Sequence, residues 1–205
     1  HVMGRRVFEP LNWDIRQWPW RPRVTHVYLP EQVAADVRTR LGTAEHLAYL
    51  EEVGVVRVHE VVDGESVEVG EVRVTPFRLA VPFVYAFLVE WGGVRVLIAP
   101  DELAGWSPPA SLDGLDLAIL PMGICELDPL TGERRIAADH PLLEAEMRFP
   151  DTVEVVRALN PKRAILSHIE EEDDLGFDAL EELADRYRRE GVPITCAHDT
   201  MRISV

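Results

Sequence analysis

From Val24 onward the chain switches between two hydrophobic periods. VTHVYLP (24–30) reads as a short strand stopped by Pro30. EQVAADVRTRL and AEHLAYLEEVG then repeat apolar residues at helical spacing, the second ending in glycine. A run of β signals follows: VVRVHEVV, the turn Asp63-Gly64, SVEV, EVRVTPF, FVYAFLVEW, the turn Gly92-Gly93 and VRVLIAP. Alternation punctuated by D-G and G-G turns predicts antiparallel strands joined as hairpins. Beyond Pro100 the pattern changes. LDLAILP and KRAILSH are short, bounded apolar runs that fit buried strands. TVEVVRAL and FDALEELADRYRREG are amphipathic helices, and PITCA and MRISV predict two closing strands.

An antiparallel meander followed by alternating strand and helix predicts an α/β chain. Two sheets packed face to face with helices outside both, an αββα four-layer sandwich, accommodate that order in one domain spanning 1–205. Residues 102–150 hold several prolines and glycines with weak periodicity and are expected to form a flap over a site. Residues 4–22 show no period, and Trp13, Trp18 and Trp20 read as a packed aromatic cluster.

Composition narrows the function classes. The hydrophobic share of 47% in 205 residues is enough for a sizeable core. Lys plus Arg number 21 against 36 Asp plus Glu, a formal charge of -15. That balance argues against a nucleic-acid partner, since such affinity comes mainly from neutralising phosphates with basic side chains. An anionic substrate would need a bound cation to attract it. Lys162 is the one lysine. Cys125 and Cys196 sit in no C-x-x-C spacing and read as buried free thiols. No apolar run is long enough to span a membrane and no charged-then-apolar leader opens the chain, so no membrane partner and a cytoplasmic location are expected.

Two strand ends carry unusual chemistry. VLIAPDELAGW runs an apolar strand into Asp101, and AILSHIEEEDD runs another into His168. An ionisable residue where a buried strand emerges is held by the sheet and reached through the loop. On the residues alone two accounts stay open for each: Asp101 as a turn cap or a ligand, His168 as a hydrogen-bonded core histidine or a ligand. The run Glu170–Asp174 precedes a helix and favours its positive end. His26, His46 and His59 show no partner spacing and read as surface or packing residues.

The order strand-Asp, strand-His and terminal strand resembles the metallo-β-lactamase-fold hydrolase superfamily, above all its phosphodiesterase branch of cyclic-phosphate phosphodiesterases and tRNA 3′-processing endonucleases. The likeness is spread over residues 71–205. IAPDELAGW resembles the segment whose carboxylate bridges two metals, PKRAILSHIEE the segment whose histidine binds the second metal, and AHDTMRISV the closing A-x-D-x-M strand. HVMGRR resembles the end of the signature H-x-H-x-D-H, which makes His1 its final ligand; the competing account leaves His1 and Val2 as two residues ahead of a starting Met3. On the first account, N-terminal strands and ligands of the fold are missing, and a sheet edge left unpaired would favour a homodimer. The family's loop histidine is also absent from Arg78-Leu79-Ala80-Val81-Pro82.

The resemblance therefore implies His1, Asp101 and His168 as metal ligands, all of one metal, with Zn²⁺ or Mn²⁺ as one or two ions and Glu102 as a substitute ligand for the second. Asp101 would also orient the water. His140 and His198 are the candidates to protonate the leaving group, with Asp199 beside His198 to orient an imidazole. The implied activity is metal-dependent hydrolysis of a small phosphate ester by an activated water. Thioester or lactone hydrolysis on the same fold, or a metal-poor scaffold without catalysis, are the alternatives.

Overall fold

The computed structural model describes residues 24–39, 44–170 and 173–205. His1 and the Trp13–Trp20 segment lie outside them. Two compact units can be told apart, residues 1–65 and 66–205.

In the first unit β1 (Thr25–Pro30) leads into α1 (Glu31–Thr39), followed by α2 (Ala44–Glu52) and β2 (Val56–Val61). Val33, Ala34 and Val37 of α1 and Leu47 and Leu50 of α2 are buried, a helical spacing that gives each an apolar side. β1 and β2 run parallel, Thr25 opposite Val56 and Pro30 opposite Val61. This corrects the expectation that VVRVHEVV opens the antiparallel meander. Two intervening helices carry the chain back to the end where β1 began, and a strand entered that way runs parallel. The same register links His26 and His59, which sequence spacing had left unlinked. Their ring nitrogens lie 2.7 Å apart, and Tyr28 stacks on His59 with centroids 4.6 Å apart.

The second unit is built on one seven-stranded sheet in sequence order. Its strands are β3 (Val67–Val69), β4 (Val72–Arg78), β5 (Tyr85–Trp91), β6 (Val94–Ile98), β7 (Leu117–Pro121), β8 (Ala164–Ser167) and β9 (Ile194–Cys196). β3 to β6 pair antiparallel, and β6 to β9 pair parallel. The change of direction follows the connections: short turns link the early strands, and longer crossovers link the later ones. α3 (Leu142–Ala145) and α4 (Phe149–Leu159) lie between β7 and β8, and α5 (Phe177–Arg189) lies between β8 and β9.

β7 and β8 are buried along nearly their whole length, which is why LDLAILP and KRAILSH lack alternation. One set of their residues, including Ala118, Leu120, Ala164 and Leu166, packs with Phe149, Val153 and Leu159 of α4 and Leu180, Leu183 and Ala184 of α5. The other set, Leu117 and Ile165 with Val96, forms a smaller cluster. α4 ends at Asn160, whose left-handed φ of 44° suits a C-cap asparagine.

MRISV adds no strand. The turn at Thr200, φ 66°, redirects the chain after the three-residue edge strand β9. Met201 and Ile203 then pack against the Val96–Leu117–Ile165 cluster instead of joining the ladder.

The stretch 102–150 is not one flap, because β7 runs through it. Its second half, Met122–Arg148, leaves and re-enters at one place: Ile124 N–H donates to the Met147 carbonyl (2.9 Å) and Phe149 N–H to the Ile124 carbonyl (2.9 Å). Gly123 stands at that closure with φ +77°; an added Cβ would lie 2.8 Å from the Met147 carbonyl and 2.8 Å from Thr152 Oγ1. Gly123→Ala combines left-handed strain with a clash against backbone, and a loss of about 3 kcal/mol or more is expected. Chemical denaturation of the two proteins checks it; an unchanged midpoint would mean the loop closes in some other way.

Candidate functional site

The parallel half of the sheet builds the site. β6 and β8 flank β7 with Ile98 opposite Ile119 and Ser167 opposite Pro121, so the C-terminal ends of all three strands emerge together. Asp101 follows β6 after Ala99-Pro100, and His168 follows β8 directly. The pairing reaches past the strand ends: Ala99 N–H donates to the Ile119 carbonyl (2.8 Å) and Met122 N–H to the Ser167 carbonyl (2.7 Å). His168 takes φ 53°, a left-handed conformation uncommon for a side-chain-bearing residue and typical of places where function tolerates strain.

Two side chains from distant parts of the chain thus meet. His168 Nε2 is 3.9 Å from Asp101 Oδ1, and both side chains are about one-third exposed. Glu170 joins them, its Oε1 accepting from His168 Nε2 at 2.8 Å. The three line a cavity of about 260 Å³ together with Glu102, Glu146 and apolar residues of the β4–β5 loop and the Ala145–Met147 segment.

Glu102 has a different task from the expected substitute ligand. Its Oε1 accepts the backbone N–H groups of Leu103 (2.6 Å), Ala104 and Met147 (3.0 Å). One carboxylate oxygen therefore turns the chain after Asp101 and ties the Met147 segment to it. Glu146, next door, has its carboxyl pushed up by burial, reinforced by the charges of Glu102 and Glu170.

The two histidines expected as proton donors are not brought to this cavity. His140 is exposed and its Nδ1 accepts Leu142 N–H at 3.3 Å, a local bond to the first residue of α3. His198 is exposed beyond β9; its Nδ1 donates to the Asp199 carbonyl at 2.9 Å, and its ring meets Phe177 edge-on at 5.9 Å. Both follow a local hydrogen bond that a one-dimensional reading could not weigh. His1 is outside the described residues. Glu170 and Glu146 were missed. The signal for Glu170 was present, two residues past His168 and at the same strand end, but the acidic run around it reads as a helix start. Nothing in the sequence around Glu146 marks it.

Among the described residues no group of three or more His, Cys, Asp or Glu is arranged to hold a metal ion. The pair Asp101–His168 comes near one: two donors at about 2.0–2.2 Å from a tetrahedral ion stand roughly 3.4 Å apart, and these stand 3.9 Å apart, so a movement of about half an ångström would bring them to one ion. Cys125 and Cys196 are buried free thiols away from the cavity. Burial raises both, Cys196 to about 11, so neither is a thiolate at neutral pH.

The sequence of residues 13–169 matches the family described as the β-lactamase superfamily domain. The chain belongs to that superfamily. Solved structures agree on the metallo-β-lactamase fold, a mixed α/β architecture of the class expected from sequence. Zn²⁺-bound PqqB from Methylobacterium extorquens aligns at TM-score 0.62 and 18% identity, over 89% of this chain and 63% of that one. A diphosphatase from the PhnP family aligns at TM-score 0.55 and 20% identity, over 89% and 59%. CmlA, a diiron β-hydroxylase from Streptomyces venezuelae, aligns at TM-score 0.57 and 19% identity, over 88% and 40%. This chain thus spans less than two thirds of the length of each of these three proteins. No curated protein matches its sequence. Among the described residues no helix is long and apolar enough to cross a membrane.

Two tests follow from this geometry. Glu102→Ala removes the acceptor shared by Leu103, Ala104 and Met147. Amide exchange at Met147 is expected to speed up by about tenfold or more, whereas Glu102→Gln keeps an acceptor oxygen and most of the protection. Equal exchange in all three proteins would deny the tie. The second concerns Asp128, whose carboxyl is held down to about 2 by N–H donation from Thr131, by Arg135 and by Leu130 N–H. A carboxyl whose folded pKa lies below its unfolded value of ~3.9 adds stability above that value, and the gain is lost as pH falls towards about 2. Limited proteolysis of the 122–148 loop should therefore accelerate between pH ~4 and ~2, and Asp128→Asn should show fast cleavage already at pH 7.

Proposed function

We propose that this chain is a metal-dependent hydrolase of a small phosphate ester, acting at the cavity between the ends of β6 and β8. The observation that carries the reading is the meeting of Asp101 and His168 at 3.9 Å, from separate parallel strands, in a cavity large enough for a small molecule. Membership of the β-lactamase superfamily supports hydrolysis, the zinc in PqqB supports a divalent cation, and the PhnP-family diphosphatase supports phosphate chemistry.

Asp101 and His168 would hold the ion; His1, the third ligand that the family resemblance implies, lies outside the described residues. When bound, a Zn²⁺- or Mn²⁺-type cation supplies a water activated at neutral pH and polarises a phosphoryl oxygen. It also supplies the positive charge that this acidic chain lacks. The rest belongs to side chains. The Asp101 carboxylate would accept a hydrogen bond from that water and orient it. Glu170 accepts from His168 Nε2 in the structure; for that nitrogen to serve as a ligand its proton would have to pass to Glu170 or leave the Nε2 for Nδ1, and the contact would give way. Glu146, whose carboxyl is raised by burial and by the charges of Glu102 and Glu170, lines the same cavity and is the candidate there to protonate the departing oxygen, the role first expected of His140 and His198. Glu102 positions Met147 and is not a ligand in this scheme.

A second reading has its own observation. The Arg78–Pro82 loop carries no histidine, and the described residues assemble no three-ligand group. Those facts favour a metal-poor scaffold without catalysis. Thioester or lactone hydrolysis would use the same water, and fold likeness does not separate it, since CmlA shows how far the chemistry on this fold extends.

His168→Ala is expected to lower bound metal and phosphodiester turnover together, by about 100-fold or more in turnover. Elemental analysis of the purified protein and hydrolysis of a chromogenic phosphodiester beside a chromogenic thioester measure both. Undiminished turnover would sink the assignment, less than one metal per several chains in the parent protein would favour the scaffold, and preference for the thioester would move the substrate class.

A further inference from the structure

The cavity lining is of two chemical kinds. Asp101, Glu102, Glu146, Glu170 and His168 are the ionisable residues, and Val81, Phe83, Val84, Ile124 and Met147 supply most of the apolar surface. Among the described residues no arginine or lysine lines it. Arg148, the basic residue next to Met147, is instead engaged with Glu126 at 3.0 Å.

Phe83 is 60% exposed, yet the loop that carries it is tightly closed: Leu79 N–H donates to the Val84 carbonyl (2.9 Å) and Val84 N–H to the Val81 carbonyl (3.0 Å). A large ring presented at a cavity by a closed turn is surface that a ligand would cover. Each extra anionic group on a substrate would be brought close to Asp101, Glu102, Glu146 and Glu170 and would lose its hydration on entry.

We propose that the cavity takes a phosphodiester in which one substituent is uncharged and apolar, seated against Val81, Phe83, Ile124 and Met147. The proposal rests on the phosphodiesterase reading above and specifies its substrate. In the reaction the water oxygen forms a new bond to phosphorus and the bond from phosphorus to one ester oxygen breaks. The electron pair leaves with that oxygen, which gains a proton as the water loses one, giving a phosphomonoester and an alcohol.

A matched pair tests it: hexyl p-nitrophenyl phosphate and 5-carboxypentyl p-nitrophenyl phosphate, which differ by one terminal carboxylate, with methyl p-nitrophenyl phosphate as the short reference. The hexyl ester is expected to show about tenfold higher kcat/KM than the carboxypentyl ester, mainly through KM. Phe83→Ala should lower the hexyl value several-fold, and by clearly more than it lowers the methyl ester. Equal or reversed preference, or an equal effect of Phe83→Ala on hexyl and methyl esters, would overturn the proposal. Titration calorimetry with hexylphosphonate and 5-carboxypentylphosphonate reads the same discrimination without turnover. If no diester is cleaved but hexylphosphonate binds more tightly, the phosphodiesterase reading falls and the apolar subsite stands; equal binding removes the subsite.

Discussion

The parallel hydrogen-bond ladder β6–β7–β8 is the constraint on which the rest of the site depends. Strands that share a direction end on the same edge of a sheet, whatever their separation along the chain. Asp101 and His168 meet because a third strand between them fixes both their spacing and their height. Had β8 run opposite to β6, the two residues would have emerged at opposite edges of the sheet. The buried clusters that cover β7 and β8 make that ladder stiff, so the positions of the two side chains are set by the core and not by the loops around them.

On this frame the charged groups are arranged with little redundancy. Glu170 accepts from His168 Nε2, Glu102 is committed to backbone N–H groups, and Glu146 is the carboxyl that burial favours in its neutral form. The three glutamates of the cavity therefore have three different environments. Sorting identical functional groups by surroundings is how a site separates tasks among them.

Much of this was legible in the sequence, and the losses have physical causes. Bounded apolar runs located β7 and β8 because burial on both faces removes alternation, and the residue after such a run was visible as a site candidate. The direction of β2 was lost because direction lies in the connection, and the two helices before it were weighed as elements but not as a crossover. MRISV has the spacing of a strand, yet a left-handed Thr200 and a short edge strand send it elsewhere. Histidine identity drew attention to His140 and His198, whereas each is held by a local bond. Glu146 and Glu170 entered only when the fold closed around them.

The single oxygen of Glu102 has a mechanical consequence. It joins the stretch that carries Asp101 to the segment before α4, so these two margins of the cavity move as one piece. Neither can swing outward alone without stranding several amide protons. The exposed Phe83 ring of the β4–β5 hairpin lines the same cavity but belongs to a separate closed turn, so it is positioned independently of that tie.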